Sequence, residues 1–159
     1  DQREFQVSLL GGDTTSTPGP LTLSLTAFGV VPKGSVLRRN GAAVGDIVFV
    51  SGTIGDAALG LLALRGGVED PDGFLAGRYR LPQPRIALGR ALLHRASAGL
   101  DVSDGLIADL GNLCKASGVG AVIEAARVPL SEAARRVLDA DPEKIAVVLG
   151  GGDDYELLF

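Results

Sequence analysis

Asp101-Val102-Ser103-Asp104-Gly105-Leu106 places two carboxylates and a hydroxyl together where an apolar, strand-like run, Ala98 to Val102, gives way to a helical pattern. Side-chain oxygens at such a junction can satisfy the orphan N–H groups that open a helix. The same oxygens suit a hard divalent cation and the phosphates it carries. Three further glycine-aspartate junctions stand elsewhere: Gly11-Gly12-Asp13-Thr14-Thr15, Gly52-Thr53-Ile54-Gly55-Asp56 and Gly150-Gly151-Gly152-Asp153-Asp154. Capping alone does not account for all four.

Outward from the motif, strand-like and helical patterns alternate without a regular β-α-β period. This predicts α+β layers rather than a doubly wound sheet. Upstream, Phe5, Val7 and Leu9 alternate with polar residues, and Leu21 to Phe28 alternates with leucine on one face; both read as strands. Ile47 to Val50 is continuously apolar and reads as a strand buried on both faces. It runs into the Gly52–Asp56 turn and a helix over Ala57 to Leu64, a geometry that aims backbone N–H groups at an anion. The pattern is not a P-loop, because no Gly-Lys-Ser/Thr follows.

Phe74 to Arg80 reads as a short helix, and another follows Pro84 with Ile86, Leu88, Leu92 and Leu93 on one side. Downstream of the motif the sequence predicts a helix from Gly105 to Ala116, a strand over Ala121 to Glu124 and a helix over Leu130 to Ala140. A buried strand over Ile145 to Leu149 and an antiparallel return over Tyr155 to Phe159 complete the reading.

The length allows one domain, or one domain with part of another, and 46% hydrophobic residues supply a core. A formal net charge of -4 with dispersed basic residues disfavours nucleic acid. No apolar run approaches a bilayer span, so the chain reads as soluble and cytoplasmic, with no membrane partner. Cys114 has no partner for an internal disulfide and reads as core filling. His94 stands between Arg90 and Arg95 and reads as a surface or interface residue rather than a ligand or base. With one histidine and one cysteine, zinc sites and Ser-His-Asp triads lack material. Arg38, Arg39 and Asn40 read as a solvated surface, with an anion-facing role as the alternative. No methionine occurs, and the chain opens on Asp1-Gln2-Arg3 and stops within Tyr155 to Phe159, which predicts an incomplete chain.

Carboxylates converging from several strand ends repel one another unless a cation or a proton intervenes. Mg2+ fits, since it takes one or two carboxylates and keeps places for phosphate oxygens. Phosphoryl transfer then needs alignment and charge neutralisation more than a nucleophile. Glycosidase chemistry is weaker, because aromatic residues for sugar stacking make up only 4% of the chain.

The four motifs, with Val50 to Asp56 and Gly151 to Leu157 taken at full length, resemble the successive signatures of the thiamine-monophosphate kinase family, within the PurM-like, AIR synthase-related ATP-binding superfamily. The resemblance covers essentially the whole chain. It implies residues 1–43 as the remnant of an N-terminal β-rich dimerisation and ATP domain, and residues 44–159 as most of a C-terminal α+β domain. It implies transfer of the γ-phosphoryl of ATP directly to thiamine monophosphate, with Mg2+ and no covalent nucleophile, by a homodimer joined through strands such as Leu21 to Phe28.

By position, Asp13, Asp56, Asp101 and Asp104 correspond to Mg2+ ligands, and Gly55, Asp56, Arg78 and Ser103 to ATP contacts, with Arg80 the alternative to Arg78. Asp153 takes the place of a substrate-binding glutamate and is one methylene shorter. The resemblance also implies metal-binding and substrate-stacking segments outside this chain. Two other readings compete: a different PurM-like enzyme of selenophosphate synthetase, hydrogenase-maturation or purine-pathway type, and a non-catalytic dimerisation or binding module.

Overall fold

A computed structural model describes residues 2–159. The chain divides into two compact units, Asp1–Gly34 and Ser35–Phe159. In the first unit, α1 (Gln2–Phe5) is one helical turn, and the remainder is extended or bent without strand pairing. The strands expected at Phe5 to Leu9 and Leu21 to Phe28 do not form. Alternation specifies a strand only when one face is covered, and here Leu21, Leu23, Leu25 and Phe28 all lie exposed.

The second unit is α+β, as its pattern predicts. Its helices are α2 (Asp56–Leu64), α3 (Phe74–Arg80), α4 (Ile86–Ala91), α5 (Leu106–Ser117), α6 (Glu132–Ala140) and α7 (Ile145–Gly150). Its strands are β1 (Leu100–Val102) and β2 (Glu156–Leu158), paired antiparallel with Val102 opposite Glu156. Val50 bridges Leu158, and Phe49 exchanges backbone hydrogen bonds with Phe159 at 2.7 and 2.9 Å, so residues 49–51 line the far side of β2.

Three sequence expectations fail here for identifiable reasons. Ile47 and Phe49 are exposed, so the Ile47 to Val50 run is not buried on both faces. Phe49 instead stacks on Phe159, with ring centroids 5.9 Å apart. Ala121 to Glu124 is extended but unpaired and leads into a 3-10 turn over Ala125–Arg127. Ile145 to Leu149 is a helix, not a strand. A short apolar run cannot distinguish the two by period, and the 3-10 turn Pro142–Lys144 starts the chain helically.

Two apolar clusters position the site. Ile54, Val102, Leu106, Leu110, Val128 and Leu158 pack β1, β2 and α5 together, with Cys114 at their margin as a filler. Leu59, Leu75, Ala134, Val137 and Val148 join α2, α3, α6 and α7. Each fully buried large aliphatic side chain contributes roughly 1.5–3 kcal/mol. Gly105 opens α5 at φ 122°, where a Cβ would lie 2.6 Å from the Gly150 carbonyl oxygen. Glycine is required there, because the α5 turn and the end of α7 touch backbone to backbone.

Candidate functional site

The Asp101–Leu106 turn leaves β1 and enters α5 without using its own acidic side chains. Asp109, buried one turn into α5, accepts from the backbone N–H groups of Ser103, Asp104 and Gly105 at 2.9, 2.9 and 3.1 Å. Residue 105, the N-cap, makes no side-chain cap. The expected capping role of the motif therefore belongs to Asp109, and Asp101 and Asp104 stand exposed on a turn whose backbone is already satisfied. Ser103 is half-buried between them. The signal for Asp109 was a charge three residues after Leu106, on the apolar stripe of a helix, where a carboxylate persists only with partners.

Asp153 to Phe159 uses its carboxylates differently. Asp154 is buried at the start of α2 and accepts from the N–H groups of Gly55 and Ala57 at 2.6 and 3.0 Å. Burial pushes its carboxyl up to about 6, against the pull of those two N–H groups; Asp56 nearby raises it further and Arg78 lowers it. Glu156 is fully buried. It accepts from the Ser51 hydroxyl at 2.5 Å, from Arg78 at 2.7 Å, and from Arg85 through two nitrogens at 2.7 and 2.5 Å. This side-on pairing with the carboxylate holds Arg85 charged. The Ser51 hydroxyl also accepts from the N–H of Leu157 at 2.7 Å. Sequence reading missed Glu156, although it shares the inward face of β2 with Leu158, a place where an unpartnered carboxylate is not tolerated.

Asp56 is fully buried, with Oδ2 accepting the Thr53 hydroxyl and Oδ1 the Ser131 hydroxyl, both at 2.5 Å. Ser131 also caps α6 by accepting the Ala134 N–H at 3.0 Å. As it stands, Asp56 ties the glycine turn to α6. Gly55, in the left-handed region at φ 84°, carries the turn into α2 against Val148. Arg78 is mostly buried against Glu156, and Arg80 is exposed. His94 is exposed as expected. Asp13 lies exposed in the first unit.

Two of the four motifs, Asp101–Leu106 and Gly150–Asp154, meet at Tyr155. Its hydroxyl stands 3.5 Å from Asp153 Oδ1, and the charge of Asp153 first, then those of Asp101 and Asp104, help hold it above the ordinary phenol range. Among the described residues, no three His, Cys, Asp or Glu side chains gather closely enough to hold a metal ion by themselves. A cleft of about 550 Å³ lies beside Asp101, walled by Leu37, Arg38, Arg39, Asn40, Gly99 and Leu100. The basic trio, for which an anion-facing role is the alternative to solvated surface, lines a concavity next to a candidate ligand. What hid this was distance in sequence: the cleft joins residues 37–40 to residues 99–101.

The description "AIR synthase related protein, C-terminal domain" matches residues 43–157. The chain belongs to this AIR synthase-related family. Within it, the chain is 48% identical over 157 residues to the thiamine-monophosphate kinase of Caulobacter vibrioides, covering 97% of this chain and 45% of that protein. The thiamine-monophosphate kinase of Stenotrophomonas maltophilia K279a superposes with a TM-score of 0.74 at 42% identity, covering 81% of this chain and 43% of that one. AaThiL, solved in complex with AMPPCP and TMP, superposes with a TM-score of 0.67 at 38% identity over 77% of this chain and 41% of its own. The chain spans about half the length of the curated relatives it matches. The similarity to thiamine-monophosphate kinases expected from the four motifs is borne out. No helix among the described residues is long and apolar enough to cross a membrane.

Proposed function

We propose that the whole protein carrying this chain transfers the γ-phosphoryl group of ATP to thiamine monophosphate, giving thiamine diphosphate and ADP. The observation that carries this reading is the Asp109-clamped turn, which leaves Asp101 and Asp104 exposed and uncommitted to the backbone. Its placement beside a cleft with two arginines supports a polyphosphate ligand, as does likeness to a protein solved with AMPPCP and TMP.

The donor set is all oxygen, which fits Mg2+. Asp101 and Asp104 would hold it, and the resemblance of its motif gives Asp13 a role of the same kind. Asp56 could join only by sharing an oxygen now taken by a hydroxyl. When bound, Mg2+ supplies charge neutralisation at the phosphate oxygens.

The chain's own residues position the reactants. The Ser103 hydroxyl offers a donor to ATP, the Gly55 turn, whose own N–H is held by Asp154, offers close backbone approach, and Arg38 and Arg39 meet its phosphates across the cleft. A contact from Arg78 would use guanidinium nitrogens that Glu156 leaves over. Asp153 faces the acceptor. A phosphate oxygen of thiamine monophosphate attacks the γ-phosphorus in line as the bond to ADP breaks, so no covalent enzyme intermediate is required. We assign residues 1–43 and 44–159 to the two domains implied by the motifs, a homodimer joined through Leu21 to Phe28, and a cytoplasmic location.

The test is Mg2+-dependent formation of thiamine diphosphate by the whole protein, with Asp104→Ala and Asp13→Ala beside it. The reading expects losses of 100-fold or more in both variants. Undiminished turnover in both overturns it.

A further inference from the structure

Asp153 and Tyr155 flank the buried Asp154, and both are non-glycine residues in the left-handed region, at φ 72° and 50°. The conformation is fixed from outside, because the Asp153 N–H donates to the Ser103 carbonyl at 2.9 Å and the Tyr155 N–H to the Val102 carbonyl at 2.8 Å. Residues 153–155 are thus pinned along the Asp101–Leu106 turn, with Asp154 directed inward. Tyr155 goes the other way: it is 44% exposed, and its hydroxyl faces Asp153. Its surroundings are acidic: Asp153 lies 3.5 Å from the hydroxyl, and the charges of Asp101 and Asp104, which the kinase reading gives to Mg2+, also reach it.

That is a setting for an organic cation. An aromatic face attracts a cationic group within about 6 Å of its centre, and a carboxylate beside the ring, here Asp153, strengthens the preference. A small hard cation takes oxygen ligands instead, so the ring does not compete for Mg2+. Thiamine monophosphate carries a permanently charged thiazolium ring at the end of the molecule that also bears its phosphate.

We propose that Tyr155 is a binding residue for the acceptor, its ring receiving the thiazolium cation beside Asp153. The inference rests on the kinase reading and adds to it a source of selectivity for charge. The ring, not the hydroxyl, does the recognising. Tyr155→Phe therefore retains it, and Tyr155→Asn removes it while keeping a residue that tolerates positive φ.

The experiment is calorimetry on the whole protein with Mg2+ and AMPPCP, titrating thiamine monophosphate and its neutral thiophene analogue, with thiamine diphosphate formation measured alongside. Wild type and Tyr155→Phe are expected to bind the cation more tightly than the neutral analogue. Tyr155→Asn should bind the cation roughly 3- to 30-fold more weakly, with the analogue and AMPPCP unaffected. Wild-type turnover together with unchanged cation binding by Tyr155→Asn overturns this inference and leaves the kinase reading standing. Equal weakening of cation and analogue also overturns it, since that is a packing effect. Absence of turnover and binding in wild type overturns both.

Discussion

In Asp101 to Leu106 the acidic side chains stand in solvent while Asp109 serves the backbone; in Asp153 to Phe159, Asp154 and Glu156 are buried and serve the backbone and two arginines themselves. The two segments share a vocabulary of aspartate beside glycine, and they are neighbours through the β1–β2 pairing. What separates them is where the hydrogen-bond donors lie. A carboxylate with several protein donors can be buried and becomes part of the fold. One whose neighbours are already satisfied stays available to a ligand. The pair thus divides the work, the second segment building the platform on which the first presents its oxygens.

Breaking the platform should cost the most. Glu156→Leu leaves the mostly buried Arg78, the partly exposed Arg85 and the buried Ser51 without their acceptor, and is expected to destabilise the chain by about 3 kcal/mol; urea unfolding measures this. Asp109→Ala strips the acceptor from three N–H groups and should cost about 2–3 kcal/mol by the same method, with Asp109→Asn losing less.

Asp154 gives the comparison a pH signature. Its carboxyl, raised to about 6 by burial, is neutral more readily in the folded chain than in the unfolded one. Its contribution to stability is therefore fully present below about pH 4 and is lost as pH rises through 6, a change of about 3 kcal/mol. The difference in unfolding free energy between wild type and Asp154→Asn should drift in that direction between pH 4 and 7. A constant difference would show that folding leaves the Asp154 carboxyl titrating as it does in the unfolded chain.

How much of this could be read beforehand follows the same division. The Asp101–Leu106 turn and the helix after it were legible, because a short polar motif between an apolar strand and a 3.6-residue period carries its own signal. The helix after Gly55 and the antiparallel return at Tyr155 to Phe159 were legible for the same reason. Glu156 was not, since its partners at Ser51, Arg78 and Arg85 are distant in sequence and only the fold unites them. Asp56 looked like a ligand from its glycine neighbours, yet Thr53 and Ser131 hold both of its oxygens. The Ile145 helix was misread because the run is too short to show a period, and Leu21 to Phe28 stays unpaired because alternation does not supply a partner within one copy of the chain.

The smallest expected effect on folding carries the most information. Asp101→Asn and Asp104→Asn should each shift stability by no more than about 0.5 kcal/mol, as exposed side chains without fold partners do. The most direct test of the division is the rate of thiamine diphosphate formation by Asp104→Asn in the whole protein, at a pH and temperature where its unfolding midpoint matches wild type. The account predicts a rate at least 100-fold lower with the midpoint unchanged. A wild-type rate, or a rate lost only together with the fold, would contradict it.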